Sequence, residues 1–272
     1  MASLEPDDVL VRIRATGLCH TDLEAIQGTL PYPLPIVLGH EGAGIVEAAG
    51  REVTGVKAGD HVICSWNPHC GHCFYCERDQ PILCEPFTRH QPRGLLLDGT
   101  SRMRRDGEPV HHFFVTSTHA QYTVVPQSGA IVVSRDIPFD RACIIGCGVM
   151  TGVGAVVRKA KVSPGASVVV IGCGAVGLNA LQGAKLVSAG RVIAVDVGEA
   201  KLERAVRFGA TDVVDRADRD ALERIRALTG GRGADYVFEA AGATHRRSVS
   251  RLKPCGPAGK WYGSARSTST KT

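Results

Sequence analysis

The rhythm of hydrophobic and polar positions changes near residue 150. Before it, apolar residues come in short alternating runs. Val9-Leu-Val-Arg-Ile-Arg-Ala15 alternates and is rich in branched side chains, as a half-buried strand requires. Prolines at 31, 33 and 35 mark a loop. Ile45-Val-Glu-Ala-Ala49 and His61-Val-Ile-Cys-Ser65 predict further short strands, so the first half reads as irregular β structure. After residue 150 the pattern is strand, helix, strand. Ser167-Val-Val-Val-Ile171 is a buried-strand run, followed by a helix over 175–188. Arg191–Asp196 predicts a second strand, Glu199–Phe208 a second helix and Asp212-Val-Val a third strand. A helix over Arg219–Leu228 and a strand over Ala234–Ala240 complete the series. Strands alternating with helices predict a parallel sheet with crossovers, and the fold class is α/β.

Composition narrows the possibilities. Across 272 residues, 44% are hydrophobic and 22% charged, which is ordinary for a globular core. No stretch approaches the length of uninterrupted apolar sequence that a membrane span needs. The chain opens Met1-Ala-Ser-Leu-Glu-Pro-Asp7 without an apolar signal segment, so a reducing, cytoplasmic setting is expected and disulfides are disfavoured. The net charge of +5 suggests nucleic acid until its distribution is read. Seven of the 32 Lys and Arg fall in 245–272, where there is no acid, leaving 25 against 27 acids in the rest. The body of the protein is therefore slightly acidic, and neither a nucleic-acid nor a membrane partner is expected.

Three constellations carry chemistry. Cys70, Cys73, Cys76 and Cys84 make a Cys-x2-Cys-x2-Cys-x7-Cys cluster. Four thiolates close a tetrahedral shell around Zn²⁺ with no open position, so the cluster reads as a structural zinc site. An iron–sulfur run shares the first two spacings, but its fourth cysteine comes after three residues and precedes proline; here Glu85 follows. The surrounding loop, 66–94, lacks periodicity, and a bound metal would supply its order. The second constellation is Gly172-Cys-Gly174-Ala-Val-Gly177, between a predicted strand and helix, with Asp196 at the end of the next strand. Gly172 permits the tight turn, Gly174 lets amides approach a pyrophosphate, and Gly177 brings helix close to strand. Asp196 would accept from the adenosine ribose hydroxyls and repel a 2′-phosphate, which favours NAD over NADP. The third is Cys19, His40 and Cys147. Each sits beside glycine or at the end of a strand-like run, and two Cys with one His leave a fourth position for water or substrate, as a catalytic zinc site needs.

With these residues in view, the chain resembles the zinc-dependent alcohol dehydrogenases of the medium-chain dehydrogenase/reductase family over residues 9 to about 244. Gly39-His40-Glu41-Gly42-Ala43-Gly44, with Gly50 and Val53, is similar to that family's zinc motif. Gly17–Asp22 and Gly146–Gly152 match its other ligand segments. Asp98-Gly-Thr-Ser-Arg102, Ser117-Thr118 and Gln121-Tyr122-Thr-Val-Val resemble the branch that includes glutathione-dependent formaldehyde dehydrogenases. The resemblance implies a GroES-like catalytic domain over 1–150 followed by a partial Rossmann domain over 151–244. It implies two zinc ions, NAD, and hydride transfer from a primary or aromatic alcohol, or to the aldehyde. Cys19, His40 and Cys147 would hold the catalytic zinc and Asp22 would orient His40. Glu41 would lie near the metal and exchange with a ligand, Thr21 would take the substrate hydroxyl proton, and His20 would contact the pyrophosphate. The full-length family is expected to be homo-oligomeric.

Two departures and one break stand against this pattern. Glu24 occupies the position where some relatives carry a relay histidine. Thr88, with Arg89 beside it, stands where glutathione-dependent relatives use arginine, which does not support a glutathione adduct as substrate. Arg246–Thr272 has eight Ser or Thr and seven cations and no convincing strand. The expectation is a frame change or truncation near 245, with 245–272 foreign to the fold. The fourth strand of the parallel sheet would then be an unpaired edge. A remnant that binds zinc and nucleotide without turnover is the alternative.

Overall fold

The computed structural model describes residues 4–241 and 255–263. The chain divides at Cys147/Gly148 into two compact units. The first contains strands β1 (Asp8–Thr16), β2 (Ile36–Val37), β3 (Gly42–Ala49), β4 (His61–Cys64), β5 (Met103–Arg105), β6 (Glu108–His112), β7 (Tyr122–Pro126) and β8 (Ala130–Val132). Short helices α1 (His20–Ile26), α2 (Glu85–His90) and α3 (Phe139–Ala142) interrupt them. Five strands form an antiparallel sheet in the order β7-β1-β3-β4-β8. The alternation in β1 is real: Val9 and Val11 are fully buried and meet Val46, Val62, Cys64 and Val125 on one face. The pairing of β1 with β3 shifts between Leu10 and Val11 and again between Ile13 and Ala15. Such irregularities bend a strand and increase its twist, and β1 ends just before the first candidate ligand, Cys19.

A small second sheet, β2-β6-β5, brings His111 and His112 beside Ile36 and Val37. Near it Arg102 pairs with Asp8 at 2.6 Å and with Asp98 at 2.7 Å. The predicted loop 66–94 is not wholly irregular. It holds α2 and three single-turn helices (Cys76–Arg78, Pro81–Leu83 and Gln91–Arg93), which are too short to show a helical period in the sequence.

The second unit contains α4 (Gly148–Gly154), β9 (Ser167–Ile171), α5 (Ala175–Leu186), β10 (Arg191–Asp196), α6 (Glu199–Arg207), β11 (Asp212–Asp215), α7 (Ala221–Leu228), β12 (Ala234–Glu239) and β13 (Cys255–Gly263). All five strands are parallel, in the order β11-β10-β9-β12-β13. A parallel sheet with helices on both faces buries every residue of its central strands. Val168 and Val170 face Leu181 and Ala184 of α5, while Val169 and Ile171 face the opposite way, into the cluster that holds Ile225 of α7. That is why β9 reads as an unbroken apolar run and not as an alternation.

One expectation fails here. The segment after 245 does contain a strand: β13 pairs in parallel with β12, with Tyr236–Glu239 opposite Lys260–Gly263. The edge of β12 is therefore covered, and the sheet has the 3-2-1-4-5 order of a dinucleotide-binding fold. Glycine and proline in Cys255-Gly-Pro-Ala-Gly mask the period of a strand. Proline is tolerated because β13 lies at the border of the described sheet. The break expected near 245 lies outside the described residues.

His112 yields a prediction about stability. It is fully buried, its Nδ1 has no partner, and burial, helped by Arg102, pushes the imidazole down to about 4. The unfolded chain binds this proton below its ordinary value of 6.5, whereas the folded chain resists until about 4. Stability contributed by the neutral ring is therefore present above pH 6.5 and lost as pH falls toward 4, by roughly 3 kcal/mol. Melting temperature should drop over that window in the natural protein and drop less in His112→Gln. Equal slopes in the two proteins would remove His112 from the account.

Candidate metal centres and dinucleotide loop

Cys19 sits at the N-cap of α1, with an extended backbone at φ −102° and ψ 153°. Its amide donates to Asp22 Oδ2 at 3.0 Å, and the Gly39 amide donates to the other oxygen, Oδ1, also at 3.0 Å. One carboxylate thereby brings the residue before His40 to the turn that carries Cys19. His40 Nδ1 lies 3.5 Å from Asp22 Oδ1, which leaves Nε2 as the ligand atom. Cys147 arrives from the single-turn helix Cys143–Gly146 as the last residue of the first unit. Ligand atoms of Cys19, His40, Glu41 and Cys147 all lie within 4.8 Å of one another. Glu41 fits because position 17 is glycine: a Cβ there would stand 2.1 Å from Glu41 Oε2.

The electrostatics suit a cation. The hydrogen bond from Cys147 brings the Cys19 thiol down to about 3, against the opposing effect of burial, and the same contact raises Cys147. Burial alone would lower His40, but its bonds to Asp22 and Cys19 outweigh it and raise the ring to about 9. Burial likewise opposes ionisation of Asp22, yet His40 and the two amides hold its carboxyl below the usual range. The Cys19 thiolate and the carboxylates of Asp22 and Glu41 outnumber the one positive charge that the His40 ring can carry, and a metal ion would neutralise the excess. Thr21 Oγ1 lies 3.5 Å from Cys19 Sγ, where its hydroxyl can donate to the thiolate, and His20 is exposed at the start of α1.

The second centre is local. Cys73 and Cys76 Sγ atoms are 3.5 Å apart, and those of Cys70 and Cys76 are 4.0 Å apart. Sulfurs at the corners of a tetrahedral zinc thiolate site stand about 3.8 Å apart, given Zn–S bonds near 2.3 Å. Cys70, Cys73, Cys76 and Cys84 are all free thiols. The Glu85 amide donates to Cys73 Sγ at 3.5 Å and lowers that thiol to about 6, while the Cys70 amide donates to Cys84 Sγ at 3.3 Å. Cys84 also precedes α2 as its N-cap. The ligand atoms of the four cysteines lie within 4.8 Å of one another, as in the first centre.

In the second unit the glycine loop has the geometry of a phosphate cradle. Gly172 turns with φ +96°, and a Cβ on it would meet the backbone of Ala240 and Ala241 at 2.7 Å. A Cβ on Gly177 would stand 1.7 Å from the Gly172 carbonyl oxygen, so α5 can reach β9 only through glycine. Nothing lies within 4 Å of a Cβ at Gly174, the N-cap of α5; the amides at this helix end face open space, where an anion would sit. Asp196 accepts from the Cys173 and Val197 amides, each at 2.6 Å, and from Lys201 Nζ at 3.1 Å. These bonds hold its carboxyl below the usual range although burial opposes them.

Sequence reading missed two features. Lys201 stands five residues after Asp196 and partly offsets its charge, at a spacing that only helix α6 makes meaningful. An aromatic group also surrounds His40: Phe114 lies 5.3 Å and Phe113 5.6 Å from its ring, while Trp66 and Tyr32 pack on Phe114 at 5.5 and 6.1 Å. Trp66, Phe113 and Tyr32 come from distant segments, and no periodicity could have joined them.

One unit with a parallel sheet and a glycine-rich loop, and another, β-rich, with one three-residue and one four-cysteine set of candidate ligands, define the class of zinc-binding dehydrogenases. Residues 5–138 match the alcohol dehydrogenase GroES-like domain and residues 175–258 the zinc-binding dehydrogenase family. An S-(hydroxymethyl)glutathione dehydrogenase of Synechocystis sp. is 42% identical over 244 residues, covering 89% of this chain and 66% of that protein. One of Escherichia coli O1:K1 is 42% identical over 237 residues, covering 86% and 64%. The chain thus spans 64–66% of the length of these curated relatives. Among solved structures, an alcohol dehydrogenase zinc-binding domain protein from Burkholderia ambifaria superposes with a TM-score of 0.89 at 39% identity, covering 98% of this chain and 72% of that one. Benzyl alcohol dehydrogenase from Acinetobacter calcoaceticus superposes at 0.85 with 36% identity, covering 99% and 73%. The chain belongs to the zinc-dependent alcohol dehydrogenases of the medium-chain dehydrogenase/reductase family.

The role of Asp22 can be measured. Asp22→Ala strands the buried amide of Gly39 and the part-buried amide of Cys19, at a cost of roughly 1–3 kcal/mol of stability, and releases His40. Zinc affinity at the first centre should fall ~10–100-fold, while the ion held by Cys70, Cys73, Cys76 and Cys84 is retained. Competition titration with a chelator checks this, and unchanged affinity in the variant would contradict it.

Proposed function

We propose that this protein oxidises primary or aromatic alcohols, or reduces the corresponding aldehydes, with NAD, at a zinc site made by Cys19, His40 and Cys147. The observation that carries the reading is the convergence of these three ligand atoms with Glu41 inside 4.8 Å. Four thiolates at Cys70, Cys73, Cys76 and Cys84 would close around a second zinc and leave it no open position. Bound zinc supplies Lewis acidity toward an alcohol oxygen, and bound NAD supplies the hydride acceptor.

The chain's own residues do the rest. Asp22 holds the tautomer and direction of His40. Thr21, half-buried and two residues from Cys19, is placed to take the substrate hydroxyl proton, and His20 is exposed to meet a pyrophosphate. Glu41 stands as a fourth, exchangeable oxygen donor. Gly172, Gly174 and Gly177 open the phosphate cradle, and Asp196 receives the ribose hydroxyls. A homo-oligomer in the cytoplasm is the setting we propose, and Glu24 is an acid through which the proton can leave.

Two substrate types compete. The relatives in Synechocystis and Escherichia coli are named for S-(hydroxymethyl)glutathione, and the Acinetobacter structure for benzyl alcohol. Thr88, inside α2, lacks the charge that would pair with a glutathione carboxylate, and this favours the simple alcohol. Among the described residues no single helix is long and apolar enough to cross a membrane.

Purified protein should carry two zinc ions per chain and form NADH from benzyl alcohol in preference to S-(hydroxymethyl)glutathione. Chelation should abolish turnover. Cys147→Ala should retain one zinc and lose activity. Turnover surviving in that variant would refute the site; two zinc ions with no NADH from either substrate would instead favour a protein that binds zinc and nucleotide without turnover.

A further inference from the structure

Residues 113–118 run between the two thiolate centres with an unusual backbone. Phe114, Val115 and Ser117 have φ of 50°, 62° and 52°. A left-handed conformation is a genuine outlier for a β-branched residue, and among the described residues Val115 is the one β-branched residue that adopts it. Such a backbone persists where its surroundings over-determine it, and these outliers collect at functional sites. Here the surroundings do so. The Phe113 amide donates to Ser117 Oγ at 2.9 Å, and the Ser117 hydroxyl donates to the Val37 carbonyl at 2.9 Å. Amides of Thr118 and His119 donate to the carbonyls of Gly39 and Leu38, both at 2.9 Å, and the Thr123 hydroxyl donates to the Thr116 carbonyl. Thr116, Ser117 and Thr118 are fully buried.

The two strained side chains serve different neighbours. Val115, 1% exposed, belongs to the apolar cluster of Cys84, Phe87 and Leu96, against which Trp66, Cys70, Cys73 and Cys76 pack. The next ring along the chain, Phe114, packs on His40 at 5.3 Å and edge-on to Trp66 at 5.5 Å. Glycine would take up φ 62° freely, so the backbone alone does not account for valine here. What valine adds is an apolar anchor in the four-cysteine lobe.

We propose that Val115 is a positioning residue that couples the four-cysteine lobe to the first metal centre: the lobe holds the valine, and the strained backbone holds Phe114 against His40. The proposal rests on the reading of Cys19, His40 and Cys147 as the catalytic ligands. It gives the four-cysteine site a purpose beyond ordering its own loop.

The test uses the full chain with Trp261→Phe, which leaves Trp66 as the single tryptophan of the two in the sequence. Val115→Gly should fold, keep both zinc ions, shift the Trp66 emission, and lower kcat for benzyl alcohol ~10–100-fold with KM for NAD unchanged. Phe114→Leu should lower kcat by a similar factor. Cys73→Ser, which opens the lobe, should shift the Trp66 emission when Val115 is present and add little further in Val115→Gly. Val115→Ala, with the backbone still strained and the anchor shortened, serves if the glycine variant does not accumulate. Unchanged emission and kcat in Val115→Gly, or additive effects of Cys73→Ser and Val115→Gly, would overturn the coupling. A parent without alcohol turnover whose emission shifts still fail to add would defeat the proposed activity and leave the coupling standing.

Discussion

The carboxylate of Asp22 is the constraint on which the first centre depends. An ionised carboxylate buried without partners is prohibitively costly, and Asp22 is 4% exposed. It is made tolerable by the amides of Cys19 and Gly39, and those two bonds in turn fix where Cys19 and His40 can stand. Because the carboxyl stays ionised, the neutral imidazole keeps its proton on the nitrogen that faces it, and the other nitrogen is the one a metal would take. The ligand geometry is thus prepared by hydrogen bonds of the chain itself.

The two candidate metal centres are built on opposite principles. Cys70, Cys73, Cys76 and Cys84 lie within fifteen residues of sequence, and short turns suffice to gather them. Cys19, His40 and Cys147 are brought together by a helix cap, the start of β3 and the end of the first unit. A local set of four thiolates would close a shell and leave nothing to spare. A set assembled across the fold offers three candidate ligands and an acid beside them, and the absence of a Cβ at Gly17 gives that acid its room.

How much of this was legible in the sequence follows the same division. Strands β9 and β10 show as apolar runs because both faces are buried, and the four cysteines and glycine loop show because their spacing is itself the chemistry. The cap that Asp22 makes on α1, the aromatic rings around His40 and the Lys201 partner of Asp196 do not show. Each depends on contacts that only the folded chain creates. Strand β13 was hidden for a different reason. Glycine and proline erase its period, and it is held by the edge of β12, a property of the neighbour more than of its own residues.

Consistency between local preference and global fold is what lets a sequence specify a structure, and violations are expected where function is served. Val115 is such a violation. A branched side chain has a strong preference against left-handed backbone, yet it occupies that conformation in a buried turn whose neighbours are hydrogen-bonded. Nothing in its own neighbourhood of sequence, Phe113-Phe-Val-Thr-Ser-Thr118, announces this. The carbonyls of Val37, Leu38 and Gly39 impose it, and these belong to the segment that delivers His40. The strand end that places the ligand and the turn that braces it are therefore one hydrogen-bonded unit, and the valine is the point at which that unit meets the four-cysteine lobe.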